Sequence, residues 1–124
     1  MAGRLKVFHR SLCFALQGIG WSLRSEPHLR IHCGAALAVI LLALGMGFDC
    51  LRMAVLLGAM ALVITAELIN TAIEKTVDLV VKEYHPLAEI VKNVAAGAVL
   101  VSALSAVGCG LFLFGPPLWD WIAK

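Results

Sequence analysis

MAVLLGAMALVITAELINTAIE, residues 53–74, decides the fold. Its first fourteen residues, Met53 to Ala66, carry no charge, and most are strongly apolar. Glu67, Asn70 and Glu74 then stand where a membrane helix would carry aliphatic side chains. Ionisable groups at such depth are costly and usually mark a functional site. The stretch therefore reads both as a membrane helix and as the place where that helix carries its chemistry.

The rest of the chain supports the membrane reading. Its 124 residues leave room for one domain, 61% of them are hydrophobic, and the mean hydropathy is +0.94. A soluble chain this short has no interior large enough to hide so much apolar surface. Sixteen uncharged residues from Cys33 to Phe48 and twenty-one from Val94 to Phe114 supply two further apolar runs. With their flanks, the three runs predict transmembrane helices over 31–48, 53–81 and 94–114. Asp49-Cys50-Leu51-Arg52 reads as a short loop, Tyr84-His85-Pro86 as a connector with Pro86 starting the next helix, and Gly115-Pro116-Pro117 as the end of the last span. Trp119 and Trp121 suit an interfacial aromatic belt, and Lys124 closes the chain.

Ahead of these spans, Leu5, Phe8, Leu12, Ala15, Leu16, Ile19 and Leu23 recur at helical spacing among Arg4, His9, Arg10 and Gln17. This pattern predicts an amphipathic helix over 4–24 lying on the membrane surface. Ser25-Glu26-Pro27 breaks it, with Ser25 as the expected N-cap of the next helix. The expected fold is therefore all-α: a surface helix and three spans in a single membrane domain, 1–124. No cleavable signal peptide is expected, since the first long apolar run begins about thirty residues in. Five Lys and Arg precede the first span, one lies in the first loop, three lie in the connector and one in the tail. The positive-inside rule then puts the N-terminus and the 74–93 connector in the cytoplasm. The four cysteines show no metal-ligand spacing, and Cys50 is the one to watch for oxidation. Without an aromatic-basic platform, a nucleic-acid role is the weaker reading of the basic N-terminus.

Glu67, Asn70, Glu74 and Asp78 fall within roughly 80° of arc on a helix, with Thr71 at the border. They form a polar seam directed at a protein interior. No Arg or Lys within the apolar runs neutralises Glu67 and Glu74, so the pair calls for protons or a cation. A hard cation such as Mg²⁺ takes one or two carboxylates and completes its octahedron with phosphate oxygens and water. Glu74, nearer the connector, suits that role. Glu67, about 10 Å deeper, is placed to accept the proton of a lipid hydroxyl, and Asn70 to orient either group. Glu26 pairs by default with Arg24 or Arg30; folded back beside Glu74, it would complete a two-carboxylate Mg²⁺ site. Lys92 can pair with phosphate, and Asn93 can bond a base or ribose. There is no P-loop. The competing reading is a non-catalytic membrane subunit whose seam serves packing or a proton or ion relay. Buried polar groups and the small residues of the last span both favour a homo-oligomer.

The run Glu67-Leu68-Ile69-Asn70-Thr71-Ala72-Ile73-Glu74, then Val77-Asp78, Glu83-Tyr84-His85-Pro86-Leu87-Ala88 and Lys92-Asn93-Val94-Ala95-Ala96-Gly97, resembles the small integral-membrane diacylglycerol kinase family of bacteria. The likeness runs from about Phe8 to Phe114. It implies a homotrimer in the bacterial plasma (inner) membrane with active sites between subunits, and transfer of the γ-phosphate of Mg-ATP to the primary hydroxyl of a membrane lipid. By motif, Glu67 would be the catalytic base, and Glu26 and Glu74 would hold the Mg²⁺ of ATP. Glu83, Tyr84, His85, Lys92 and Asn93 would contact the nucleotide, Asn70 would support the lipid hydroxyl, and Arg30 would lie near the lipid. The family usually carries Asp where this chain has Asn93, which keeps the size and loses the charge. The wording around Arg30-Ile31-His32 and Tyr84-His85-Pro86 looks closer to the branch that phosphorylates undecaprenol than to the one that phosphorylates diacylglycerol.

Overall fold

The computed structural model describes residues 2–123, and among them are four helices and no strand: α1 (Ala2–Ser25), α2 (Pro27–Gly45), α3 (Cys50–Val80) and α4 (Pro86–Ile122). Lys124 and the side chain of Trp121 lie outside the described residues.

Pro27 causes the break between α1 and α2. A proline ring pushes the residue before it out of the helical region. Glu26 is accordingly extended (φ −106°, ψ 109°), and Pro27 takes the first turn of α2. Ser25, expected as the N-cap, is instead the last residue of α1, and its Oγ donates to the Trp21 carbonyl at 3.1 Å. Glu26 holds the cap position but makes no side-chain cap bond, so its carboxylate is free to reach elsewhere.

Two other boundaries differ from expectation. Asp49 is not the start of a loop over 49–52 but the N-cap of α3, where its Oδ1 accepts from the Arg52 N–H at 2.8 Å. The turn lies over 46–49 and passes through Gly47 at φ +68°, a conformation open to glycine without steric cost. At the other end, α4 runs through Pro116 and Pro117 to Ile122 instead of stopping there. Proline's φ fits a helix; what it lacks is the N–H. The carbonyls of Phe112 and Leu113 therefore lose their helical donors and are crowded by the rings, yet the helix continues to Ile122. Pro86 starts α4 as the sequence suggests, capped by His85, whose Nδ1 accepts from the Leu87 N–H at 3.2 Å.

The most extensive packing is between α3 and α4, with α2 against α3 and α1 touching both α2 and α3. One pole is apolar: Ala43, Leu56 and Phe114 are buried together, and the Phe48 ring meets that of Phe114 with centroids 4.6 Å apart. This cluster ties the end of α2, the start of α3 and the far end of α4. The opposite pole holds the polar seam. Between them most apolar side chains face outward, among them Leu37, Leu41, Leu62, Leu104 and Phe112. Helices α2, α3 and α4 are each long and apolar enough to cross a membrane, so the exterior suits lipid. Leu5, Phe8, Leu12 and Leu16 remain exposed along α1, as an amphipathic helix lying on a membrane requires.

Phe114→Ala is expected to lower stability in detergent by about 1–3 kcal/mol, less than a water-facing core loses because lipid is itself apolar. A thermal midpoint unchanged from wild type would show that the apolar pole does not hold the three helices together.

Candidate functional site

The seam of α3 meets α2 on one side and α4 on the other. Helices α3 and α4 run antiparallel, so each step down α3 faces a step up α4. Asp78 pairs with Lys92. Four residues on, Glu74 lies level with Ala96, and at the deep end Glu67 lies level with Ala103. The rise from Asp78 to Glu67 is about 16 Å. On α4 the facing positions are Ala96, Val99, Leu100 and Ala103. None carries a donor, and the two alanines leave room.

That room is a cavity of about 510 Å³ lined by Glu26, His28, His32, Glu67, Asn70, Thr71 and Glu74 together with the four α4 residues. Glu67 is 5% exposed and Thr71 4%, which makes them the most enclosed polar groups of the seam. The partner of Glu67 is the imidazole of His32, with Nε2 3.2 Å from Oε1. Asn70 donates from Nδ2 to Glu74 Oε1 at 3.0 Å, while its own Oδ1 is buried with no partner. Glu26 reaches across from α2 to Lys75, Oε1 to Nζ 3.1 Å, and the same ammonium lies 5.9 Å from the centre of the Trp21 ring.

One expectation is corrected here. Glu26 pairs with neither Arg24 nor Arg30, because its extended backbone turns the carboxylate toward α3, where Lys75 waits. As expected, no Arg or Lys pairs with Glu67 or Glu74: Lys75 answers Glu26, His32 contacts Glu67 and Asn70 contacts Glu74. Lys92, expected to pair with phosphate, is engaged with Asp78 in this structure.

The remaining candidates fall into two groups. Glu83, Tyr84, His85 and Lys92 surround a second recess of about 300 Å³, with Asp78 and Glu89. There Tyr84 donates its hydroxyl proton to Glu89 Oε2 at 2.9 Å. The two recesses adjoin along α3, with Glu74 in one and Asp78 one turn away in the other. Arg30 and Asn93 are exposed and line neither. His28 and His32 line the main cavity but were not among the residues singled out. The signal for them was their i, i+4 spacing, which sets both on one face of α2.

Among the described residues, no group of three or more His, Cys, Asp and Glu is disposed to hold a metal by itself. Three carboxylates, Glu26, Glu67 and Glu74, and the orphaned amide oxygen of Asn70 border the one cavity. This all-oxygen set is chemically suited to a hard divalent cation that brings other ligands with it.

The family model described as prokaryotic diacylglycerol kinase matches residues 13–114. A diacylglycerol kinase of Synechocystis sp. is 41% identical over 109 residues, 87% of this chain and 62% of that protein. The chain therefore spans somewhat under two thirds of that relative's length. An undecaprenol kinase of Bacillus subtilis is 36% identical over 114 residues, 92% of this chain and 93% of that protein. A diacylglycerol kinase of Escherichia coli (strain K12) is 29% identical over 94 residues, 76% and 77% of the two chains.

A carboxylate kept for chemistry costs stability, whereas one kept for packing supplies it. Glu67→Leu is therefore expected to leave the unfolding free energy in detergent unchanged or to raise it by up to about 2 kcal/mol. A clear loss of stability would instead make the seam a packing device.

Proposed function

The chain belongs to the prokaryotic diacylglycerol kinase family, and on that premise we propose that it is an ATP-dependent lipid kinase with its site in the cavity between α2, α3 and α4. The observation that carries the proposal is Glu67: a carboxylate 5% exposed, at the closed end of a polar cavity in a lipid-facing bundle. The acceptor is a lipid with a primary hydroxyl, diacylglycerol or undecaprenol, the substrates for which the relatives are named.

Helix geometry supports a division of labour along α3. Its 31 residues are about 46 Å long against a hydrocarbon core of about 30 Å. With the Cys50 end at one face of the membrane, the hydrocarbon gives out near Asn70. Glu67 then meets a hydroxyl held at the boundary, and Glu74 and Asp78 stand in the polar layer where a nucleotide arrives. Positive-inside counting makes that layer cytoplasmic. Glu83, Tyr84, His85 and Lys92 border the recess beside it and take the nucleotide, with Asn93 at its edge. Arg30, exposed on α2, is placed for the lipid headgroup.

In the reaction, Glu67 takes the proton of the acceptor hydroxyl as the oxygen attacks the γ-phosphorus. The bond to the β–γ bridging oxygen breaks, and ADP leaves. Glu26 and Glu74, with Asn70 Oδ1 beside them, would hold Mg²⁺, which when bound offsets the phosphate charge. Lys75 and the Asn70 amide must then release the two carboxylates. Phosphoryl transfer needs mainly positioning and charge neutralisation, so a site this small suffices. A homotrimer would close the open sides of both recesses with neighbouring subunits.

The competing reading, a non-catalytic subunit, draws on the contacts that tie α2 to α3 through Glu26, His32, Glu67 and Lys75. Two measurements separate them. Millimolar Mg-ATP should raise the unfolding free energy of the detergent-solubilised protein, by about 2.7 kcal/mol at one hundred times Kd. Glu67→Gln should lower lipid phosphorylation from labelled ATP, assayed with both lipids side by side, by at least about 100-fold while that protection persists. Absence of protection and of transfer would sink the kinase reading, and full activity in the variant would remove Glu67 as base.

A further inference from the structure

Several groups surround the Glu67 carboxylate, the buried Thr71 hydroxyl among them, and one is recorded as its partner. On α3, the Asn70 amide already donates to Glu74. On α4, the residues lining the cavity are Ala96, Val99, Leu100 and Ala103, all without a polar side chain. On α2, Glu26 is engaged with Lys75, and His28 lies a turn above His32. The imidazole Nε2 of His32, 3.2 Å from Oε1, is the partner recorded for this carboxylate among the described residues.

From this geometry we infer that His32 is the positioning residue for Glu67: its Nε2–H donates to Oε1, fixes the carboxylate plane and leaves Oε2 to meet the acceptor hydroxyl. The inference rests on the kinase reading and extends it to a residue of α2. An imidazole suits the task better than a lysine or arginine would. It donates a hydrogen bond while uncharged, so it orients the base without tying it up in a permanent ion pair. The step itself is unchanged: the hydroxyl proton passes to Glu67, and His32 neither gains nor loses one.

The place of His32 in the fold agrees with this role. It lines the polar cavity and also an apolar groove of about 330 Å³ whose wall includes Ala35, Val39, Met60, Ala106 and Phe114. A molecule with a hydrocarbon tail and a polar end, seated across both, passes the imidazole just where tail gives way to hydroxyl. Side-chain exposure is 28% for His32 and 6% for Glu67. The donor is thus partly open while the base it holds is closed off, as expected when the donor stands at the mouth and the base at the floor.

Two variants separate positioning from packing: His32→Gln keeps an N–H donor, and His32→Leu keeps bulk without one. Steady-state kinetics of the full chain in lipid vesicles, with ATP and each lipid in turn, should show kcat falling about 10- to 100-fold in His32→Leu, the cost of one hydrogen bond to a charged group. KM for ATP should stay within about twofold, and His32→Gln should recover most of the rate. In a Glu67→Gln background, His32→Leu should have no further effect on kcat. If His32→Leu keeps the wild-type kcat, or if Gln and Leu are equally impaired, His32 does not position the base while the kinase reading stands. If the wild-type protein transfers phosphate to neither lipid, the kinase reading itself falls and takes this role with it.

Discussion

A carboxylate inside a bundle that shows lipid an apolar face needs a polar partner, and Glu67 finds its partner on another helix, in His32. The groups sit on α3 and α2 with 3.2 Å between them, which sets His32 level with Glu67. The rest of the polar pole follows from that register. With His32 level with Glu67, the start of α2 is brought level with the next turns of α3, and Glu26 reaches Lys75. An apolar pole at the opposite end, closed by Phe48 and Phe114, completes a bundle held at its two ends and exposed to lipid between them.

The polar pole is built from contacts that hold without filling. Asn70 steadies Glu74, Lys75 steadies Glu26 and His32 steadies Glu67, yet the space between them stays open because α4 presents alanines there. A larger residue at Ala96 or Ala103 would fill the cavity and gain packing. A chain selected for stability alone would favour that gain, so the vacant volume argues for a ligand. Each contact is also of a kind that can be exchanged. The ammonium of Lys75 and the amide of Asn70 are movable donors on their carboxylates, and an arriving cation with its phosphate can replace both without breaking a helix.

The architecture was legible in the sequence because lipid imposes one rule along the whole chain: long uncharged runs become helices, and polar residues cluster on one face where they depart from it. The seam from Glu67 to Asp78 was legible for the same reason. What escaped was set by single residues acting on their neighbours. Pro27 acts on the residue before it and so made Glu26, not Ser25, the break. Asp49 caps α3 through the N–H three residues on, and the Asp78–Lys92 pair depends on how α3 faces α4. Pro116 and Pro117 look like terminators in a string of letters, but in a helix their φ is acceptable and the loss is two hydrogen bonds. The partnership of His32 was the hardest to see. A histidine in an apolar run is ordinarily unremarkable, and its meaning came only from the register of α2 against α3, which no local pattern carries.

Helix length turns this register into a statement about depth. A polar cavity opening into hydrocarbon would leave buried groups without partners, a cost no fold sustains. Helix α3, at about 46 Å, is longer than a hydrocarbon core of about 30 Å, so on the kinase reading the cavity's Glu74 end would emerge into the polar layer while its Glu67 end stays below. On that reading, water and charged molecules would reach it from the Glu74 end, and apolar molecules from the groove beside His32. On the kinase reading, the two substrates differ in the same way: a nucleotide cannot enter hydrocarbon, and a lipid tail cannot leave it. A site that must join them lies where a helix crosses that boundary with acids on both sides of it, as Glu67 and Glu74 do.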